Sequence, residues 1–200
     1  MCCSPEIMLV DTGCANLASV RFAFARLGVT AVISCDPDKL RTANRLVLPG
    51  VGSASAGMKA LDDSGLAEML TEYQRPLLGI CLGMQMLFEH SNEGDTACLG
   101  LVGGEVEALP TQSLPIPHMG WNTLNLLRKD PLLTGIKQQD YVYFVHSFAA
   151  KRSADTLAIS NYGMDFSAII RRGNSYGCQF HPELSGMVGA RILQNFLKVK

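Results

Sequence analysis

The sequence predicts an α/β fold: a mostly parallel central sheet flanked by helices, with an antiparallel β addition in the second half. Three observations carry that reading. The first ninety residues alternate short apolar runs with segments of helical period, the pattern of parallel strands covered on both faces. The second half holds six short strand-like runs between turn residues, with few helical patterns among them, which points to antiparallel pairing. The chain's 200 residues, 48% hydrophobic and 18% charged, suffice for a sizeable core, expected as one domain over residues 1–200.

Residues 7–11 read as the first strand, ended by Thr12-Gly13. Asn16 can cap the next helix, where Leu17, Val20, Phe24 and Leu27 keep helical spacing, and Gly28 stands where a glycine commonly ends one. Residues 29–34 form a second strand, and Asp36-Pro37 supplies a cap and a first helical residue. Residues 45–48 form a third strand, followed by Pro49-Gly50-Val51-Gly52. Ser53 caps a helix through Met58 and Leu61; residues 66–73 form another, and residues 76–80 the fourth strand. Later strand candidates are residues 103–109, 120–126, 141–146, 156–162, 167–172 and 176–180. A helix over residues 187–197 follows, with Val188, Ile192, Leu193 and Phe196 on one face. Reactive loops are expected at the carboxyl ends of the parallel strands.

A net charge of −1 with no run of Lys or Arg gives no footprint for nucleic acid or a membrane surface. No apolar run approaches a membrane span, and the first residues, MCCSPEIMLVD, lack the basic and long apolar regions of a signal peptide. The seven cysteines (Cys2, Cys3, Cys14, Cys35, Cys81, Cys98 and Cys178) are odd in number and contain no C-x-x-C pair. They fit neither a disulfide framework nor a zinc site, so the expected setting is a reducing cytoplasm.

Cys81 alone has a context that speaks of chemistry. A buried-strand run (Leu77, Leu78, Ile80) meets Gly79-Ile80-Cys81-Leu82-Gly83 and then a Met-rich apolar run that reads as a helix to Phe88. This is the strand–turn–helix of a nucleophile elbow, with Cys where G-x-S-x-G hydrolases have Ser. Glycines two before and two after allow close packing around a strained turn, and a helix N-terminus favours negative charge at the sulfur. By itself the stretch also describes a buried structural cysteine.

A thiol nucleophile needs a base and a group to orient it. Of His90, His118, His146 and His181, the last ends a strand-like run and opens His181-Pro182-Glu183. In an extended segment residues two apart project to one side, so Glu183 can fix the His181 tautomer and stabilise its imidazolium. H-P-E alone equally describes a strand-end turn with a solvated glutamate. The loop at residues 49–52 offers backbone N–H groups to an anionic oxygen, or is only a strand–helix turn.

Together, the G-x-C-x-G elbow, the H-P-E about a hundred residues later and the P-G-V-G loop resemble the triad glutamine amidotransferases over essentially the whole chain. The resemblance implies a flavodoxin-like sheet, no metal and no cofactor. It implies Cys81 as nucleophile, His181 as base and acid, Glu183 as its orienter, and oxyanion-hole amides at Val51 and Leu82. It also implies glutamine contacts from Gly50, Gly52, Gln85, Ser147 and Phe148, the last two mainly by backbone.

Within that family, the segment Asp11-Thr12-Gly13-Cys14-Ala15-Asn16-Leu17, P-G-V-G, G-I-C-L-G-M-Q, Met119-Gly120-Trp121-Asn122 and Tyr143-Phe144-Val145-His146-Ser147 are similar to the glutaminase subunits of imidazole glycerol phosphate synthases. That similarity implies a heterodimer in which ammonia passes to a (β/α)₈-barrel cyclase, with Asn16, Trp121 and His146 toward the partner or the glutamine pocket. Three positions depart from the family's usual residues: Ala15 for Gly, Phe148 for Tyr, and Leu184 for Lys. Rival readings are the glutaminase of another synthase, such as that of pyridoxal phosphate synthesis, and an α/β cysteine hydrolase.

Overall fold

The computed structural model describes residues 6–13, 15–110 and 114–199; Cys2, Cys3 and Cys14 fall outside them. In chain order the elements are β1 (Met8–Val10), α1 (Leu17–Arg26), β2 (Val32–Ser34), α2 (Pro37–Arg41), β3 (Leu46–Gly50), α3 (Ala54–Asp63), α4 (Leu66–Glu72), β4 (Leu77–Cys81), α5 (Leu82–Gln85), β5 (His90–Ser91), β6 (Thr96–Ala97), β7 (Glu105–Ala108), β8 (His118–Thr123), β9 (Asn125–Leu126), β10 (Tyr141–His146), β11 (Phe148–Ala150), β12 (Thr156–Asn161), β13 (Asp165–Arg172), β14 (Ser175–Cys178) and α6 (Gly186–Phe196). Short 3₁₀ turns occupy Pro131–Leu133 and Pro182–Leu184. No helix among the described residues is long and apolar enough to cross a membrane.

The main sheet has the order β2-β1-β3-β4-β14-β13-β12-β9. The first five strands run parallel, and β13, β12 and β9 extend them antiparallel. A two-stranded antiparallel sheet, β10-β8, and a mixed four-stranded sheet, β11-β7-β5-β6, in which β5 and β7 run parallel, complete the fold. The main sheet therefore has the mixed character the sequence predicts. Alternation along residues 7–10 sends Ile7 and Leu9 to one core and Met8 and Val10 to the other, as a strand buried on both faces must. The first core packs under α1 and α6 through Val20, Phe24, Ile192, Leu193 and Phe196; the second lies under α3 and α4 through Met58, Leu61, Met69 and Leu70.

The predicted caps form. Asn16 Oδ1 accepts from Ser19 N–H, Asp36 Oδ1 from Asp38 and Lys39 N–H, and Ser53 Oγ from Ala56 N–H. Gly28 ends α1 at φ +79°. Several elements differ from expectation. The strand expected over residues 120–126 is two, β8 and β9, and they belong to different sheets. β2 begins only at Val32. β3 runs two residues further than the apolar pattern, through Pro49 to Gly50. Leu46 N–H bonds to Pro76 O on the β4 side, so Pro49, three residues on, turns its nitrogen toward β1; lacking an N–H, it lets the β1 ladder end at Val47. Finally, α5 is a single turn rather than a helix to Phe88. The N–H groups of Leu87 and Phe88 turn to the carbonyls three residues back, Met84 and Gln85, which ends the α-helical ladder; the carbonyls of Met86, Leu87 and Phe88 then go to the N–H groups of Leu99, Val102 and Gly100 of the returning chain.

Candidate active site

Cys81 ends β4 and leads into α5 at φ +54° and ψ −113°, a backbone conformation that a side chain bearing a Cβ rarely adopts. The turn closes because its flanking residues have no Cβ. One added to Gly83 would lie 1.7 Å from the Leu48 carbonyl oxygen, and one on Gly79 2.6 Å from the Gly83 carbonyl oxygen. Cys81 is only 7% exposed. Its thiol reaches the Val145 carbonyl at 3.5 Å, and Gln179 Nε2 approaches the sulfur at 3.9 Å. Since α5 is one turn long, any favour to negative charge here comes from the local N–H groups at its start, not from a long helix dipole.

His181 stands three residues past β14, which pairs in parallel with β4 through Cys178 and Ile80. This adjacency delivers the imidazole to the elbow. His181 Nδ1 and Glu183 Oε1 are 2.8 Å apart. The pairing is as expected, but its geometry differs: residues 182–184 form a 3₁₀ turn, with His181 as the extended residue before it. The turn itself is anchored. His181 N–H donates to Tyr143 O (2.9 Å), Ser185 Oγ–H donates to His181 O (2.7 Å), and Ser185 Oγ accepts from Tyr143 N–H (2.9 Å). Gly189 lets α6 press on it, since a Cβ there would be 1.9 Å from the Pro182 carbonyl oxygen.

Burial opposes charge on His181. Hydrogen bonding and charge at Cys81 and at the Glu183 carboxylate nevertheless carry it up to about 10. Glu183 Oε2 is buried without a hydrogen-bond partner, so the carboxylate depends on His181 for compensation. The arrangement stabilises an imidazolium beside the sulfur.

Both groups open onto a cavity of about 260 Å³ whose wall includes Val51, Gly52, Leu82, Gln85, Ser147 and Phe148. His146 also lines it, as expected. Gly50 does not: it packs behind the wall, where an added Cβ would meet Gly83 N at 3.0 Å and the Leu82 side chain at 3.1 Å. Gly52 takes φ +97°, which a glycine adopts without strain. Phe148 is more constrained than expected, because its carbonyl already accepts from Gln85 Nε2 and His146 Nδ1, both at 2.8 Å. Asn16 and Trp121 lie outside the cavity; Asn16 caps α1, and Trp121 is 55% exposed with its ring edge-on to Tyr143.

Sequence reasoning missed Glu93, Gln179 and Ser185. Glu93 is the carboxylate on the cavity wall, and it uses Oε2 to accept from Ala54 N–H at 2.7 Å, at the start of α3. Gln179 was readable only as a polar residue between two apolar ones in a strand-like run.

Residues 8–199 match the family described as Glutamine amidotransferase class-I. The chain belongs to that family. Among class-I amidotransferase relatives, the Vibrio cholerae protein named imidazole glycerol phosphate synthase subunit HisH is 51% identical over 200 residues, covering 97% of this chain and 98% of that one. The Haemophilus influenzae protein of the same name is 48% identical over 193 residues, covering 96% and 97%. A solved crystal structure of a glutamine amidotransferase superposes with a TM-score of 0.76 at 19% identity, covering 96% of this chain and 97% of that one. That likeness carries the amidotransferase fold.

Proposed function

We propose that this chain hydrolyses glutamine to glutamate and ammonia, and supplies the ammonia to a cyclase that forms imidazole glycerol phosphate and an aminoimidazole carboxamide nucleotide in histidine biosynthesis. One observation carries the chemistry: a cysteine on a strained elbow and a histidine–carboxylate pair meet at one cavity, in a chain 51% identical to a protein named for that synthase.

In this reading residues 1–200 act as one domain. His181 Nε2 takes the Cys81 thiol proton, and the sulfur attacks the side-chain amide carbon of glutamine. The N–H groups of Val51 and Leu82 receive the oxyanion. His181 returns the proton to the leaving nitrogen, ammonia departs, and a thioester remains. Water, deprotonated by His181, then attacks the thioester carbonyl, giving glutamate and the free thiol. Glu183 holds Nδ1–H throughout and stabilises each imidazolium. Glu93 is placed to meet the substrate's ammonium group, while Gly52, Gln85, Ser147 and the Phe148 N–H shape the remaining wall. No step draws on a metal or cofactor.

The partner is a (β/α)₈-barrel cyclase, in a cytoplasmic heterodimer. Met119, Trp121 and Tyr141 are exposed on β8 and β10, and together with Asn16 they form the surface assigned to it. The test pairs Cys81→Ala with that cyclase: glutamine-dependent synthesis should vanish while synthesis from added ammonia persists. Glutamine hydrolysis that survives the substitution would overturn the assignment. Alkylation of Cys81 by a glutamine analogue, read by mass spectrometry, separates the glutaminase from a hydrolase of other substrates.

A further inference from the structure

Two buried histidines next to the cavity take no part in that chemistry. His118 on β8 and His146 on β10 face each other directly across the two-stranded sheet and are 3% and 5% exposed. His118 Nδ1 and His146 Nε2 lie 2.9 Å apart. His118 is held flat between Tyr162 and Phe144, with ring centroids at 4.0 and 4.9 Å and interplanar angles of 19° and 24°.

Their protonation follows from their partners. The Phe148 carbonyl can only accept, so His146 Nδ1 carries the hydrogen in the 2.8 Å contact. Burial keeps His146 neutral, at about 3, so its Nε2 accepts and His118 Nδ1 donates. His118 is neutral as well, lowered by burial to about 4; its Nε2 therefore accepts from Asn122 Nδ2 at 3.4 Å. The donors run one way, from Asn122 to His118 to His146 to the Phe148 carbonyl.

The line continues to the sulfur. Gln85 Nε2 donates one hydrogen to the Phe148 carbonyl and the other to Gln179 Oε1 at 3.0 Å, which fixes the Gln179 amide with its nitrogen toward Cys81 Sγ. The Phe148 backbone is set by the same bonds. Leu109 N–H bonds to Ser147 O, and Phe148 stands opposite Ala108 in the β11–β7 ladder. This makes 148/108 a pair without mutual hydrogen bonds, so the N–H and C=O of Phe148 both face away from β7.

We propose that His118 and His146 are positioning residues: acting through the Phe148 carbonyl, Gln85 and Gln179, they hold the N–H donor at the Cys81 sulfur and aim the Phe148 N–H into the cavity. This rests on the glutaminase reading for its effect on turnover, but not for its effect on the sulfur. A hydrogen bond to a charged group contributes enough to change a rate by roughly tenfold or more.

The test uses the complex with its cyclase and three variants. His146→Leu removes the donor to Phe148; His146→Asn keeps an N–H near the Nδ1 position; Gln179→Met removes the donor at the sulfur. Iodoacetamide alkylation of Cys81, followed by mass spectrometry of its peptide, and kcat/KM for glutamine are the readouts. Tm identifies variants that merely unfold. We expect His146→Leu and Gln179→Met to lose about tenfold or more in both, with His146→Asn restoring each to within about threefold. A lowered Tm with alkylation and kcat/KM unchanged in His146→Leu would overturn the proposal, as would equal losses in His146→Leu and His146→Asn. Should His146→Leu fail to fold, unchanged alkylation in Gln179→Met overturns it just as well. A wild-type complex that hydrolyses no glutamine would defeat the functional reading, while the iodoacetamide arm would still decide this one.

Discussion

Acidification from about pH 7 to about pH 5 should destabilise the protein by about 3 kcal/mol, chiefly through His118 and His146. Burial lowers them in the folded state to about 4 and about 3, against about 6.5 when unfolded. A depressed folded pKa means that the unfolded chain binds more protons, so stability is complete above about 6.5 and is lost as pH falls toward the folded values. At 1.36 kcal/mol per unit, the interval from about pH 7 to about pH 5 costs about 1.9 kcal/mol for each histidine. Both are still neutral in the fold at that pH, so their mutual repulsion does not enter. His181 has the opposite sign. Its folded pKa is raised to about 10, so its contribution is full below about 6.5 and fades as pH rises; acidification over the same interval returns about 0.8 kcal/mol. The net loss is a sizeable part of the about 5–15 kcal/mol a domain commonly has. Urea unfolding followed by far-UV circular dichroism should show a midpoint lower by about 1 M or more at the acid pH, given slopes of about 1–3 kcal/mol/M. The double variant His118→Phe, His146→Leu should lose most of that dependence. Equal midpoints at the two pH values in the wild type, or full dependence in the double variant, would refute the reasoning.

Gly83→Ala should cost more than about 3 kcal/mol or abolish folding, because its Cβ would overlap the Leu48 carbonyl; thermal unfolding with the soluble yield checks it, and a Tm within a few degrees of wild type would contradict the elbow packing. Glu183→Gln should reduce glutamine turnover less than His181→Ala, since it removes orientation and charge stabilisation but not the proton carrier; complete and equal loss in two well-folded variants would point to a more direct part for Glu183. Ser185→Ala leaves Tyr143 N–H and His181 O without their shared partner. It should lower stability by about 1–3 kcal/mol and lower kcat more than it raises KM; unchanged kcat would mean the hydroxyl only stabilises the fold.

The parallel half of the fold was legible because its signals are local. Asn16, Asp36 and Ser53 announce helix starts, and the glycines around Cys81 announce the elbow. Boundaries failed where distant chain intervened. β3 keeps pairing through Pro49 because β4 lies on the side where its nitrogen is not needed, and the chain after α5 tightens to bonds three residues back and then gives its carbonyls to residues 99–102. β5, β6 and β11 are two or three residues long, too short to leave a period. Cys81 and His181-Pro182-Glu183 were readable as two motifs, yet the meeting of those motifs depends on β14 lying next to β4, which no spacing reports. Glu93, Gln179 and Ser185 act through partners 39, 98 and 42 residues away. His118 and His146 are opposite one another only through the β8–β10 register.

The position of β14 also governs how the enzyme comes into being. Residues 175–178 fill the slot between β4 and the antiparallel extension, so the sheet is joined across its middle by one of its last-made strands. In the finished sheet β14 is the strand that joins β4 to the extension, and it brings His181 to Cys81 from a hundred residues away in the sequence. Closure of so long a loop is slow compared with local pairing. A growing or clipped chain that ends before residue 175 therefore carries Cys81 without His181 and Glu183. The proposed release of ammonia therefore needs the completed sheet.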